Sequence, residues 1–119
     1  MNKSIYIVDD EVGILEALSD CLSLNDDFHI TTYSSVDAAI RDLKNVSNGV
    51  LITDMKMPGK DGLHLLKWIQ DHDINLEAKI CITGYTEYEE SYLRSFGMTK
   101  MFQKPLCFDD LLDYIESLH

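Results

Sequence analysis

Residues 50–54 read Val-Leu-Ile-Thr-Asp, an apolar run that ends on a carboxylate. Two other short runs have the same plan: residues 5–8 (Ile-Tyr-Ile-Val) precede Asp9-Asp10, and residues 101–103 (Met-Phe-Gln) precede Lys104-Pro105. Runs of this kind are typical of buried β-strands. Because ligands of open α/β sheets bind at the carboxyl ends of the parallel strands, we expect three carboxylates and one ammonium to meet there as a charged site.

Five segments predict strands, because they are rich in the β-branched and aromatic residues that strands favour. They are Ser4–Val8, Phe28–Tyr33, Val50–Thr53, Lys79–Thr83 and Thr99–Gln103. The first, third and fourth are apolar throughout, which is typical of central strands. In the second, Phe28, Ile30 and Thr32 alternate with His29, Thr31 and Tyr33, which is typical of an edge strand.

The segments between these strands have apolar residues at helical spacing. The stripes are Val12, Leu15, Leu18 and Leu22; Val36, Ala39, Ile40 and Leu43; Leu63, Leu66 and Ile69; Leu111, Leu112, Ile115 and Leu118. Cap candidates are Ser34, Ser35, Asp61 and the pair Thr86 and Glu89, and Gly97 is a stop candidate. Strands that alternate with helices predict an α/β fold: a doubly wound, five-stranded parallel sheet of flavodoxin-like (βα)5 order, with helices on both faces.

The size and charge of the chain limit its functions. With 119 residues, the whole span 1–119 is expected to form one domain. A formal net charge of −11 is expected to repel nucleic acids and anionic membranes, so any DNA contact requires another segment. Cys21, Cys81 and Cys107 are far apart and form no CxxC motif, which argues against a disulfide framework or a zinc site. With no apolar run of membrane-spanning length, we expect a cytoplasmic protein.

Asp9, Asp10 and Asp54 together require a compensating charge. Carboxylates a few ångströms apart do not all stay ionised without a cation or a shared proton. Ligand sets made only of oxygen select a hard ion, Mg²⁺ or alternatively Mn²⁺. Lys104 then adds a second, fixed positive charge at the same edge.

A metal, a lysine and a spare carboxylate are the parts of a phosphoryl site. Asp54 can act as a nucleophile and form an aspartyl-phosphate, while the cations neutralise the phosphoryl oxygens. Thr83 ends the fourth strand, so its hydroxyl can donate to another of those oxygens, and Gly84 leaves room for the group.

Each of these motifs alone has an ordinary structural explanation. Asp9-Asp10 before a helix is typical of an N-terminal cap, and Asp54 before Met57-Pro58-Gly59 can begin a turn. Lys104 can be a solvated loop residue, and Thr83 an ordinary last strand residue. Their joint occurrence at four strand ends favours the functional interpretation.

These residues resemble a known family over essentially the whole chain. The matching segments are Asp9-Asp10-Glu11, residues 54–62 (Asp-Met-Lys-Met-Pro-Gly-Lys-Asp-Gly), Thr83-Gly84 and Lys104-Pro105. They are similar to the receiver domain of two-component response regulators. The resemblance implies that Asp54 accepts a phosphoryl group from a sensor histidine kinase or a phosphotransfer protein. It also implies that the domain catalyses only its own phosphorylation and dephosphorylation.

The resemblance assigns roles to the remaining residues. For the metal, Asp10 and Asp54 ligate Mg²⁺ through their side chains, the Lys56 backbone carbonyl adds a ligand, and Asp9 acts through water. For the phosphoryl group, Lys104 binds it and Thr83 is the switch hydroxyl. The Lys104–Pro105 bond is expected to be cis. Phosphorylation then changes the face formed by the fourth helix, the fifth strand and the fifth helix. This face contains Tyr88, Tyr92, Met101 and the segment after Pro105, and it controls an output domain or partner protein. Whether phosphorylation also produces a homodimer is left open by the sequence.

The chain departs from the family pattern at Met101, where an aromatic residue is common. A flexible Met can still repack in the coupled movement of Thr83. We further hypothesise that Lys56 and Tyr85, each two residues after a site residue, control access of the hydrolytic water. Tyr88 and Tyr92, four residues apart, are equally consistent with a packing pair.

Two other functions remain open. A phosphohydrolase of the haloacid dehalogenase type also combines Asp, Thr, Lys and Mg²⁺, but its DxD motif is absent and the chain has no room for a cap domain. A pseudo-receiver that binds partners without phosphorylation is disfavoured by the complete set of site residues. A flavin role is weaker still, because two carboxylates stand where a phosphate loop would be needed.

Overall fold

The computed structural model describes residues 2–84 and 88–118, in which strands and helices alternate. The elements are β1 (Lys3–Val8), α1 (Val12–Leu22), β2 (Phe28–Tyr33), α2 (Val36–Leu43), β3 (Val50–Asp54), α3 (Gly62–Asp71), β4 (Ala78–Thr83), α4 (Glu90–Arg94), β5 (Lys100–Gln103) and α5 (Phe108–Glu116). Each of the five predicted strands is present, and their ends differ from the prediction by at most one residue.

The strands form one parallel sheet in the order β2-β1-β3-β4-β5. The predicted flavodoxin-like order is therefore confirmed. The three apolar strands are central and the alternating β2 is an edge, because only central strands are covered on both faces and along both sides. Val8 pairs with Thr53, and Thr83 pairs with Gln103, so four strands end along one edge.

Helices cover both faces of the sheet, as predicted. On one face, α1 and α5 pack against Ile5, Ile7 and Ile52. On the other face, α2 and α3 pack against Val8 and Leu51, and a third cluster joins α3, α4 and β4. The division follows from the alternation of side chains along each strand.

Two helices begin at predicted caps. The Ser35 hydroxyl accepts a hydrogen bond from the Ala38 N–H (3.1 Å), so Ser35, and not Ser34, caps α2. The Asp61 carboxylate accepts from the His64 N–H (3.0 Å) and caps α3. Gly97, with φ +92°, terminates the turn after α4, as predicted.

Three details of the helix predictions differ from the structure. Val12 is 61% exposed, because α1 begins there and its apolar stripe reaches the sheet only from the next turn. Glu89 is the N-cap residue of α4 without a side-chain cap bond, and Thr86, its predicted partner, lies outside the described residues. Leu118 lies beyond the end of α5 but still packs against the core.

Between residues 2 and 84 and between 88 and 118, no helix has the length and apolar character needed to cross a membrane.

Candidate functional site

Four polar residues stand at the carboxyl ends of adjacent strands. Asp9 follows β1, Asp54 ends β3, Thr83 ends β4, and Lys104 follows β5. Backbone hydrogen bonds extend the sheet past these ends: the Asp9 N–H donates to the Tyr33 carbonyl (3.1 Å), and the Lys104 N–H donates to the Thr83 carbonyl (2.8 Å). The backbone at these positions is therefore held by the sheet itself.

The three carboxylates form one cluster. Oxygen atoms of Asp9, Asp10 and Asp54 all lie within 4.8 Å of one another. Asp9 and Asp54 are buried, with 2% and 4% of their surface exposed, whereas Asp10 is exposed. The Glu11 N–H donates to Asp9 Oδ1 (2.9 Å), so Asp9 forms a local turn, and α1 has no side-chain cap.

Burial changes the acidity of one member of this cluster. The pKa of Asp9 is raised to about 6, chiefly because burial disfavours the charged form, and the nearby negative charge of Asp54 adds to the effect. The Glu11 N–H opposes this shift. A buried carboxylate beside two others is a strong potential ligand for a cation, and the all-oxygen donor set fits a hard divalent ion.

Lys104 provides the positive charge within the protein. Its Nζ lies 3.3 Å from Asp54 Oδ2, while the Lys56 N–H donates to Asp54 Oδ1 (3.3 Å). The Lys104–Pro105 peptide bond is cis. Gly84 is adjacent: a Cβ there would lie 3.4 Å from Lys104 Cδ. The cluster therefore has three carboxylates and a single neighbouring ammonium, and a divalent cation would balance the remaining negative charge.

The Thr83 hydroxyl is buried and lacks a hydrogen-bond partner, alone among the buried side-chain nitrogen and oxygen atoms that the structure describes. Burying a hydroxyl without a partner costs free energy. Since Thr83 is 2% exposed and lies at the same sheet edge, its Oγ1 is suited to bind a group that enters the site.

The other residues named from the sequence lie around this centre. Met101 packs with the cluster of α3, α4 and β4, and Phe102 packs on the opposite face, as predicted. The rings of Tyr88 and Tyr92 stack at 5.8 Å, so they do form a packing pair. Tyr85 lies outside the described residues.

Two residues contact the Asp54 backbone, and sequence reasoning assigned neither of them a role. The Thr53 hydroxyl is buried and donates to the Asp54 carbonyl (2.9 Å). Gly62, the first residue of α3, packs so tightly against Asp54 and Met55 that a Cβ would clash with both. A glycine immediately after a cap residue is a sequence signal for such a close approach.

The family model of the response regulator receiver domain matches residues 5–116. The chain belongs to this family. The chain is 32% identical to sporulation initiation phosphotransferase F of Bacillus subtilis (strain 168), with 98% of this chain and 93% of that protein covered. It is 37% identical over 82 residues to the transcriptional regulatory protein FixJ of Rhizobium meliloti (strain 1021), covering 69% of this chain and 39% of that protein.

Solved structures agree with this assignment. A CheY-like receiver domain protein from Methanospirillum hungatei JF-1 has a TM-score of 0.86 and 26% identity, covering 98% of this chain and 92% of that one. The crystal structure of FixJ-N also has a TM-score of 0.86, with 28% identity, covering 98% of this chain and 92% of that one. The predicted family and fold are therefore confirmed.

The receiver domain is a module of two-component signalling, and its family consists of phosphoacceptor switches. This membership favours a switch over the phosphohydrolase alternative. The chain spans 39% of the length of FixJ and 23% of the hydrogenase transcriptional regulatory protein HoxA of Cupriavidus necator.

Proposed function

We propose that this receiver domain, formed by residues 1–119, is switched by phosphorylation of Asp54. The observation that carries the proposal is that one buried carboxylate adjoins both an acidic cluster and an amine. Asp54 lies beside Asp9 and Asp10, and Lys104 Nζ lies 3.3 Å from Asp54 Oδ2. The Thr83 hydroxyl, which is buried without a partner, supplies a free donor at the same edge.

The chemistry is a phosphoryl transfer. A carboxylate oxygen of Asp54 attacks the phosphorus atom of a phosphohistidine, the new P–O bond forms and the P–N bond breaks. The departing imidazole nitrogen then takes up a proton. Lys104 neutralises charge on the phosphoryl oxygens, and the Thr83 hydroxyl donates to one of them.

We propose that the site holds Mg²⁺, or alternatively Mn²⁺. Asp10 and Asp54 would bind the ion directly together with the Lys56 backbone carbonyl, and Asp9 would act through water. The all-oxygen set and the excess of negative charge fit a hard cation. When bound, the ion supplies positive charge next to the phosphoryl oxygens.

The signal would leave the site through α4, β5 and α5. The Lys104 N–H donates a hydrogen bond to the Thr83 carbonyl, which links the ends of β4 and β5. A movement of Thr83 or Lys104 would therefore be transmitted to β5. Met101 and Tyr88 both pack against the cluster of α3, α4 and β4, and Pro105 lies in the connection from β5 to α5. This face would control an output domain or a partner protein, or would form a homodimer. Size-exclusion chromatography with beryllium fluoride, a phosphoryl mimic, tests the homodimer directly.

The donor would be a sensor histidine kinase or a phosphotransfer protein. This agrees with the name of the Bacillus relative, a phosphotransferase of sporulation. The net charge of −11 of the present chain favours protein partners over direct nucleic acid binding. The thiols of Cys21, Cys81 and Cys107 are free, which fits the reducing cytoplasm that we propose as the compartment.

We also propose that Lys56 and Tyr85 set the lifetime of the phosphoryl group. The Lys56 side chain is exposed and stands two residues after Asp54, where it can limit access of the attacking water. Replacing both residues by Ala should change the rate of autodephosphorylation several-fold, and an unchanged rate would remove this role.

Mass spectrometry tests the main proposal. Incubation with acetyl phosphate and Mg²⁺ should add one phosphate, and Asp54→Asn or chelation of the metal should abolish the addition. Labelling of Asp54→Asn at the wild-type level would overturn the assignment. Multiple turnover of a phosphomonoester would instead indicate a phosphohydrolase, and binding of partners without any labelling would indicate a pseudo-receiver.

A further inference from the structure

The main-chain carbonyl oxygen of Asp54 lies between two residues that have no part in the phosphoryl chemistry. Thr53 donates a hydrogen bond to it, and Gly62 packs directly against it. We propose that Thr53 and Gly62 are positioning residues, which orient the Asp54 carboxylate and the metal-binding backbone by clamping this carbonyl. The inference rests on the proposed function of Asp54 and deepens it.

The contact with Gly62 leaves no space for a side chain. A Cβ at this position would lie 2.6 Å from the Asp54 carbonyl oxygen and 3.0 Å from Met55 Cα. It would also lie 2.6 Å from Met55 Sδ, but that side chain can rotate away, whereas backbone atoms cannot. The Gly62 N–H donates to the Met55 carbonyl (3.2 Å), so the start of α3 is bound to the backbone it touches.

The backbone that Gly62 contacts carries the reacting groups. Asp54 bears the acceptor carboxylate, and the Lys56 N–H donates to its Oδ1 (3.3 Å). The Lys56 carbonyl is the backbone ligand proposed for the metal. Any side chain at position 62 must therefore displace the acceptor, the metal ligand or both. A misplacement of about 1 Å can reduce a reaction rate on the order of 100-fold.

The requirement for glycine at position 62 is steric. Among the described residues, the glycines with positive φ are Gly49, Gly59 and Gly97, and Gly62 is not one of them. Alanine would thus be compatible with its backbone angles, and only the contact opposes it. Gly13 in α1 is the matched control, because a Cβ there meets no atom within 4 Å.

Thr53 provides a second, milder way to loosen the same carbonyl. Its side chain is fully buried, and its hydroxyl donates to the Asp54 oxygen at 2.9 Å. Thr53→Val keeps the shape of the side chain and removes only this hydrogen bond. The acceptor oxygen then loses one of its two restraints, while no atom is forced out of place.

The experiment compares wild type with Gly62→Ala, Thr53→Val and Gly13→Ala. Ile115→Val, a buried change in α5, serves as a control for reduced stability. Three quantities are measured well below the thermal midpoint of every variant. They are the initial rate of labelling by acetyl phosphate, the Mg²⁺ dissociation constant, and the amide ¹⁵N shift of Lys56 in the metal-free protein.

We expect Gly62→Ala to reduce the labelling rate at least about tenfold, to weaken Mg²⁺ binding several-fold and to shift the Lys56 amide. Thr53→Val should produce smaller changes of the same kind. Gly13→Ala and Ile115→Val should stay within about twofold of wild type in rate. Wild-type rate and metal affinity in Gly62→Ala would overturn the proposal, and so would an equal loss in Ile115→Val.

Two further results also decide the question. If Gly62→Ala does not fold, Thr53→Val takes its place, and unchanged rate and metal affinity in that variant overturn the proposal. If wild type is not labelled on Asp54, the proposed function fails by itself. The Mg²⁺ constants and the Lys56 shift then still test whether Thr53 and Gly62 position this backbone.

Discussion

The two ends of the sheet differ in whether their buried polar groups are paired within the protein. At the carboxyl end, Asp9 and Asp54 are buried beside a single lysine, and the Thr83 hydroxyl has no partner. At the amino end, Lys3 forms a half-buried ion pair with Glu77. The charges of this pair balance each other within the protein, although a cavity of about 720 Å³ opens beside them.

Unmet bonding capacity therefore distinguishes the carboxyl end, where the proposed site lies, from the amino end. The polar groups of the amino end stabilise each other within the protein. At the carboxyl end, a single ammonium stands beside three carboxylates, and the Thr83 hydroxyl lacks a hydrogen-bond partner. A metal ion would supply the missing positive charge, and a phosphoryl group would supply the missing acceptor.

Replacing Lys104 should have the largest effect. Lys104→Met removes the ammonium beside Asp54, so the rate of Asp54 labelling should fall on the order of 100-fold. The measurement is the initial rate with acetyl phosphate at saturating Mg²⁺. Lys100→Met is the control, because Lys100 Nζ lies over the Phe102 ring at 5.6 Å, outside the site. Equal losses in both variants would refute a specific role of Lys104.

Replacing Asp9 should stabilise the metal-free protein at neutral pH. The pKa of Asp9 in the folded state, about 6, lies above its ordinary value of 3.8. The folded state therefore holds the proton more tightly, and stability falls as pH rises from about 4 to about 6. The loss is on the order of 2–3 kcal/mol, at about 1.4 kcal/mol per pKa unit.

Asp9→Asn should remove this loss and flatten the dependence of stability on pH. Urea unfolding in the presence of a chelator, repeated between pH 4 and pH 8, measures both effects. Added Mg²⁺ should close the gap between the two proteins, because only wild type gains the full metal site. A wild-type curve that is flat over this range would contradict the prediction.

Replacing Thr83 should separate stability from switching. Thr83→Val removes a buried hydroxyl that has no partner, so the free energy of unfolding of the metal-free protein should rise by about 1 kcal/mol. Asp54 should still be labelled in this variant, but Met101 should no longer repack when Asp54 is phosphorylated. Denaturation and the methyl shift of Met101 before and after labelling measure the two effects. Loss of stability in Thr83→Val would show that the hydroxyl is satisfied.

Replacing Lys3 at the amino end should have the smallest effect on function. Lys3→Met breaks the half-buried pair with Glu77, so the free energy of unfolding should fall by about 1 kcal/mol. The labelling rate of Asp54 should stay at the wild-type level, since the pair lies at the other end of the sheet. A change in that rate would mean that the two ends are coupled and would contradict a functional difference between them.

Local sequence signals were sufficient for most of the fold. Apolar runs identified β1, β3 and β4, because a strand covered on both faces is apolar along its length, and the alternation in β2 identified it as an edge strand. The polar residue after each run identified Asp54, Thr83 and Lys104 as members of one edge. Val12 belongs to the predicted apolar stripe of α1 but is exposed, because spacing alone does not tell how far a helix extends past the sheet.

Patterns among neighbouring residues specify the five strands, the helices between them and the polar residues at the strand ends. The remaining features arise only when these elements pack against one another. Asp9 and Asp10 are adjacent and chemically identical, yet only the fold buries one and exposes the other. The pairing of Lys3 with Glu77 and the contact of Gly62 with the Asp54 carbonyl were decided in the same way. They depend on how separate elements pack together, and no local pattern of residues contains that information.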